Sequence, residues 1–166
     1  DQAAAVFEAV HDQVSRGTAL INRAEAHRGL GQFGLARTLS EQALGVMRTA
    51  QHRKGEAVAL HNLGLVARAL GDFEQALRFG MEALAVAREI GSRALEGSVQ
   101  RHIGQAHGSL NQWAPAGAAL DEAVAIALEL GAPQPLIEAR AAQAELALAH
   151  GGPEQARLGP LGPRTA

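Results

Sequence analysis

The sequence predicts an all-α chain: a right-handed α-solenoid in which antiparallel helix pairs stack side by side. Three observations predict it. First, matched residues return every 40 positions, with small residues at Ala24, Gly64, Gly104 and Ala144 and turn residues at Gly31, Gly71, Asn111 and Gly151. Rings follow at Phe33, Phe73 and Trp113, where Pro153 breaks the series, and alanines at Ala36, Ala76, Ala116 and Ala156, then at Ala43, Ala83 and Ala123. A fixed period of this length is the signature of a repeat architecture. Second, His61 to Ala87, HNLGLVARALGDFEQALRFGMEALAVA, reads as two helices joined by a tight turn. Third, 47% of residues are hydrophobic but only 3% aromatic. Alanine, leucine and valine must then fill the core, and the helices must approach closely.

Residues 1–12 align, at the 40-residue offset, with the ends of later second helices. They are expected to be the second helix of a preceding partial repeat, with Val6 and Val10 on one face at i and i+4. Repeat 1 spans 13–52, repeat 2 spans 53–92 and repeat 3 spans 93–132. First helices are expected over 13–30, 54–70 and 93–110, and second helices over 32–50, 72–90 and 112–130. The residue just past a helix end commonly turns left-handed, which glycine tolerates freely and asparagine next best. Gly31, Gly71 and Asn111 meet that demand between the helices of a pair, and Gly91 and Gly131 meet it between pairs. Asp72 with Gln75 predicts a capping box. Pro115 falls in the first turn of its helix, where a missing N–H costs little. Leu30, Leu70 and Leu110 are expected to close the end of each pair.

Repeat 4, over 133–158, is incomplete. Its first helix is expected over 136–149, after the stiff entry Ala132-Pro133-Gln134-Pro135. A second helix starts at Pro153, and Gly159-Pro160 stops it because proline clashes and removes a donor. Residues 159–166 form a Pro/Gly tail.

Net charge is −2, which argues against a nucleic-acid partner, whose footprint is strongly basic. No apolar run approaches the roughly 20 residues that span a bilayer, and no signal peptide is visible, so no membrane partner is expected and the chain is read as cytoplasmic. The chain has no cysteine, which excludes disulfides and thiolate chemistry. It opens on Asp1, inside a repeat, and is expected to be a piece of a longer protein. The bias of arginine over lysine looks like that of a GC-rich bacterial gene.

The His61–Ala87 stretch closely resembles the tetratricopeptide repeat: Leu63-Gly64 in the first helix, Gly71 and Phe73 at the turn, Ala76 after it and Ala83 later. The resemblance covers residues 13–158. It is strongest in repeat 2, good in repeat 3 and partial in repeat 1, where Arg23 replaces the bulky residue. In repeat 4, Gln143 and Pro153 replace both bulky columns. The 40-residue period is similar to the long-helix variety of kinesin light chains, Pins-type polarity adaptors and sensor regions of bacterial regulators. HEAT-type repeats share the length but lack the glycine–aromatic–alanine turn.

The resemblance implies a concave groove walled by the first helices. Facing it would be Asn22, Asn62 and His102, with Ala142 last; the preceding column is Ile21, His61 and Arg101, and the column after the small residue is Glu25, Leu65 and Gln105. In long-helix relatives an asparagine ladder grips a peptide backbone, and an amide offers the donors and acceptor for that. The resemblance therefore implies a peptide or protein segment as partner. Arg68, His61 and Arg101 favour an acidic residue in it, and Ile21 and Leu65 offer an apolar anchor. A lysine–asparagine clamp for a terminal carboxylate is not matched, since Ile21, Glu25, Ser98 and His102 occupy its positions.

Nothing in the sequence supplies a catalytic constellation of the kind an enzyme needs, such as a Ser-His-Asp set, paired carboxylates or a phosphate-cradling loop. The seven histidines lack the i, i+4 spacing of a zinc helix, so neither a metal nor another cofactor is expected. The reading is a non-enzymatic peptide- or protein-binding module that uses the concave groove. The alternative is a sensor or scaffold segment of a larger bacterial regulator that acts by intramolecular or homotypic packing, including a homodimer through exposed terminal helices.

Overall fold

The computed structural model describes residues 2–155, with side chains from residue 10 to residue 151. Among the described residues it is entirely helical: α1 (Gln2–Gly29), α2 (Phe33–Thr49), α3 (Arg53–Ala69), α4 (Phe73–Glu89), α5 (Arg93–Ser109), α6 (Trp113–Glu129) and α7 (Pro133–Gln155). Successive helices pack in chain order. The expected tail at 159–166, the side chain of Val6 and the column position Ala156 lie outside the described residues.

The turns carry the architecture. Among the described residues six take a left-handed conformation: Gly31, Gly71 and Asn111 within pairs, and Gln51, Gly91 and Gly131 between them. At each, two backbone bonds close the preceding helix. Gly71 N–H donates to Arg68 O and Asp72 N–H to Ala67 O, both at 3.0 Å, and the other five repeat the pattern. This is the Schellman motif, which satisfies carbonyls left over at a helix end. The same bonds explain why only half of the capping box forms. Gln75 N–H donates to Asp72 Oδ1 at 3.0 Å, but Asp72's own N–H is already committed to Ala67. His52 caps α3 in the same forward manner, accepting from Gly55 N–H at Nδ1.

Both ends depart from the expected repeat plan. Residues 2–12 are not a separate second helix, because α1 runs unbroken to Gly29. The later turn positions Gln51, Gly91 and Gly131 correspond to His11, and the helix passes straight through it. Likewise α7 continues past Gly151 to Gln155, so the expected turn and second helix at 153 do not form. In the sequence Pro153 stands in the column of Phe33, Phe73 and Trp113, which begin α2, α4 and α6. Leu30 and Leu70 are also not closed in; they are 72% and 51% exposed, at the very ends of their helices.

Within a pair, small residues set the contact. Ala24, Ala36, Ala43, Ala83 and Ala116 are buried. A Cβ on Gly64 would meet Ala76 O at 3.4 Å and Gly80 N at 3.6 Å, so α3 and α4 touch nearly backbone to backbone. Ala144, the fourth member of the small column, is exposed; among the described residues no helix returns against α7. One core, including Leu20, Leu39, Met47, Leu60, Leu63, Val99 and Ile103, threads through the stack.

Curvature follows from which helices meet. α1 touches α3, α3 touches α5 and α5 touches α7, while the alternate helices α2, α4 and α6 do not touch one another. The odd helices therefore form the inner, concave wall. Two junctions are tied by identical ion networks. Glu56 is gripped by Arg48 and Arg53, which reach on to Glu82 and Glu89. Forty residues later, Glu96 is gripped by Arg88 and Arg93, which reach on to Glu122 and Glu129. Burial pushes the Glu56 and Glu96 carboxyls up, but the arginine hydrogen bonds outweigh it and hold both below the usual carboxylate range.

Candidate functional site

The candidate site is the concave wall of α1, α3 and α5. Helical spacing places His61, Leu65 and Arg68 on one stripe of α3, and Arg101 and Gln105 on the matching stripe of α5. The two helices meet through histidines. The rings of His61 and His102 lie edge to face with centres 4.8 Å apart. Burial first, then Arg101 and Arg28, push His61 down to about 4. Burial, His61, Arg101 and Arg68 push His102 down to about 2. Both imidazoles are therefore neutral at pH 7. Arg101 is pulled down by burial more than the carboxylate of Glu138 restores, at an ion-pair distance of 2.9 Å. Arg28 and Arg68 form no ion pair among the described residues.

This face also collects unsatisfied polar atoms. Arg28 Nε, His61 Nδ1, Arg68 Nε and Gln105 Oε1 are buried without a hydrogen-bond partner. Among the described residues, every such side-chain atom except Ser40 Oγ lies on α1, α3 or α5 at this wall. Buried polar groups are paired in the large majority of cases, and a cluster of exceptions calls for a cause.

The asparagine ladder is not laid out as expected. Asn22 is exposed, whereas Asn62 is only 4% exposed and its amide donates to Glu25 Oε1 at 3.3 Å. Asn62 and Glu25 thus tie α3 to α1, and Asn62→Ala would disturb packing. Ile21 belongs to the core at 7% exposure and is not available as an apolar anchor; Leu65 is half-buried on the wall. His61, Arg68, Arg101, His102 and Gln105 do come together. Arg28 joins them, and its recurrence 40 residues before Arg68 was the available signal. His27 and His107 stand apart, with Nδ1 close to Gln32 Oε1 and Gln112 Oε1 across the turns.

Among the described residues a cleft of about 120 Å³, lined by Arg101, Ile126, Pro135 and Glu138 among others, borders the start of α7, and two larger ones flank its C-terminal half. One, of about 230 Å³, opens between α5 and α7, with Arg68, Gly104, Gln105, Leu120 and Leu146 among its lining. The other, about 500 Å³ and more open, lies beyond Trp113 along Gly117, Gln143 and His150. Sequence reasoning missed all three, although Gly108 interrupts the Arg28–Arg68 column and so leaves room at the one between α5 and α7. Among the described residues, no three of His, Asp and Glu gather as metal ligands, and no helix is long and apolar enough to cross a membrane.

A curved stack of helix pairs with a polar inner wall is the architecture of a helical-repeat protein. Residues 55–129 match the tetratricopeptide repeat family, whose repeats are generally protein-interaction modules. No curated protein matches the sequence. Two solved structures share its fold. One is aspartyl phosphate phosphatase F from Bacillus subtilis, with TM-score 0.76 and 18% identity over 88% of this chain and 37% of that one. The other is BtubC (BKLC) from P. vanneervenii, with TM-score 0.68 and 15% identity over 90% of this chain and 70% of that one. The chain thus spans little more than a third of the phosphatase's length, and identities this low speak for the fold alone.

Proposed function

We propose that the chain is a non-catalytic interaction module that takes an extended, acidic segment of another protein across its concave wall. The observation that carries this reading is the cluster of partnerless polar atoms beside the unpaired arginines Arg28 and Arg68. Buried donors without acceptors are costly, and a carboxylate-bearing segment supplies acceptors and neutralises the arginines together. Strands rise about 3.3 Å per residue and helices pack 8–10 Å apart, so roughly every third ligand residue meets a new helix. The test is a random twelve-residue peptide display library, panned on the wild-type chain and on Arg28→Glu/Arg68→Glu. Peptides rich in Asp and Glu should enrich on the wild type and disappear on the variant. Equal enrichment on both, or no acidic bias, overturns the reading.

A second reading is favoured by α7, where Ile137 and Leu148, eleven residues apart and so on one helical face, are 62% and 76% exposed. In that reading the chain is a sensor or scaffold segment of a larger regulator, and this face packs against another domain or another copy. Size-exclusion chromatography separates the two: a stable monomer favours the open groove, and an obligate dimer favours packing.

A further inference from the structure

We infer that the 230 Å³ cleft between α5 and α7 is an anchor pocket for one bulky aliphatic side chain of the bound segment, whose acidic residues run from that anchor toward α1. The inference rests on the concave-wall reading and adds where the apolar contact is made and which way the ligand lies. A cleft of this size is below the roughly 300–1,000 Å³ of sites that hold drug-sized ligands, so it suits a single side chain. Its lining is mixed: Gly104, Leu120, Ala142, Leu146 and Ala149 supply an apolar part, and Arg68, Gln105, Ser109 and Glu145 a polar one.

The polar lining of the cleft specifies a polypeptide. Arg68 Nε is a donor without an acceptor, and Gln105 Oε1 is an acceptor without a donor. A peptide unit carries one C=O and one N–H, so the anchor residue's own backbone answers both. A free anion would satisfy Arg68 but set negative charge beside the Gln105 oxygen, and a lipid chain would satisfy neither. Charge sets the direction. On the α3 side the cleft opens toward Arg68 and then Arg28, neither in an ion pair among the described residues, whereas Glu145 lines the α7 side and repels acidic residues there.

The test is an NMR titration of the ¹⁵N-labelled chain with N-acetyl-leucine-N-methylamide, using the serine analogue as control. Trp113, the chain's one tryptophan, also lines the cleft and gives a unique indole signal. The leucine probe should shift the Trp113 indole and the Gln105 side-chain amide to saturation, and the serine probe should not. Ala149→Phe, at an exposed position on the cleft, should abolish those shifts and leave the remaining spectrum unchanged. Gln105→Leu should weaken the probe about tenfold, the size of effect expected for a lost hydrogen bond. No saturable shift at Gln105, or shifts confined to Gly117 and His150 in the outer cleft, overturns the anchor. Display peptides that need Arg28 and Arg68 but bind Ala149→Phe undiminished overturn the anchor alone. Peptides indifferent to both arginines overturn the concave-wall reading instead.

Discussion

At the scale of single residues, the inner wall holds groups in states that water would not choose. His61 and His102 are the clearest case. Their folded pKa values, about 4 and about 2, lie below the roughly 6.5 of a free imidazole. Between those values the unfolded chain binds more protons than the folded one, so stability rises with pH. The contribution is complete above about pH 6.5 and is lost as the pH falls toward 4 and below. Thermal melts from pH 7.5 to 5 should lose up to about 4 kcal/mol, about 2 from each ring, and His61→Gln should remove roughly half of that dependence. Glu56 and Glu96 act in a different window. Their carboxyls are depressed, so their contribution declines only below the unfolded value of about 4.3. A melting temperature unchanged down to pH 5 would contradict the neutral, buried pair. Gln105 makes the same point without titration. Its Oε1 is buried and unpartnered, so Gln105→Leu should leave stability unchanged or raise it by up to about 1 kcal/mol, even as it weakens binding. A clear loss in a denaturant melt would show that the oxygen has a partner in the free protein.

At the scale of elements, helix pairs are held at a distance set by one small residue, and the two glycines of that column are not equivalent. A Cβ on Gly104 would fall 2.6 Å from Leu120 Cγ and 3.1 Å from Ala116 O, whereas on Gly64 its nearest neighbour is 3.4 Å away. Gly104→Ala should therefore cost about 1–3 kcal/mol by overpacking. Gly64→Ala should be neutral or stabilising by up to about 1 kcal/mol, since glycine is a poor residue for a helix interior. Urea melts of the two variants should move in opposite directions, and a shared sign would mean that the α3–α4 and α5–α6 contacts are alike. The glycine–ring–alanine columns made the central pairs legible, because each column is a packing requirement repeated in place. The difference between Gly64 and Gly104 was not legible, since it depends on which rotamer Leu120 adopts across the interface. Gln51 escaped notice as a left-handed turn residue because the Schellman bonds, and not its own preference, hold it there. The site was half legible. Column position put His61, Arg68 and Gln105 on the wall, but it also put Asn62 there, which the contact with Glu25 draws into the packing between α1 and α3.

At the scale of the whole molecule, the two ion networks divide the stack unequally. Arg48, Arg53, Glu56, Glu82 and Glu89 recur forty residues later as Arg88, Arg93, Glu96, Glu122 and Glu129, a periodicity as readable as the glycines. At the next step the series fails: Leu128, Pro133 and Leu136 replace two arginines and the central glutamate. The junction of α6 with α7 therefore has no such ion network; it is built around Ala123, Val124, Leu136 and Ala139, with a hydrogen bond from Gln143 Nε2 to Asp121 Oδ1. In a linear stack, stability is close to a sum of repeat and nearest-neighbour terms, so opening starts where an interface is weakest. Among the described residues α7 has only α6 and α5 as neighbours, and it carries exposed Ile137 and Leu148. Helices α3 to α5 sit between both ion networks and have neighbours on either side. Local opening spans a range from near zero to the global unfolding free energy, and amide exchange reads it residue by residue. Amides of residues 137–149 should accordingly exchange faster than those of α3 and α5, and their protection should rise when an anchor-bearing ligand bridges α5 and α7. Equal protection across α3, α5 and α7 in the free chain would mean that the stack opens as one unit, and that the loss of the ion network at α7 has no energetic consequence.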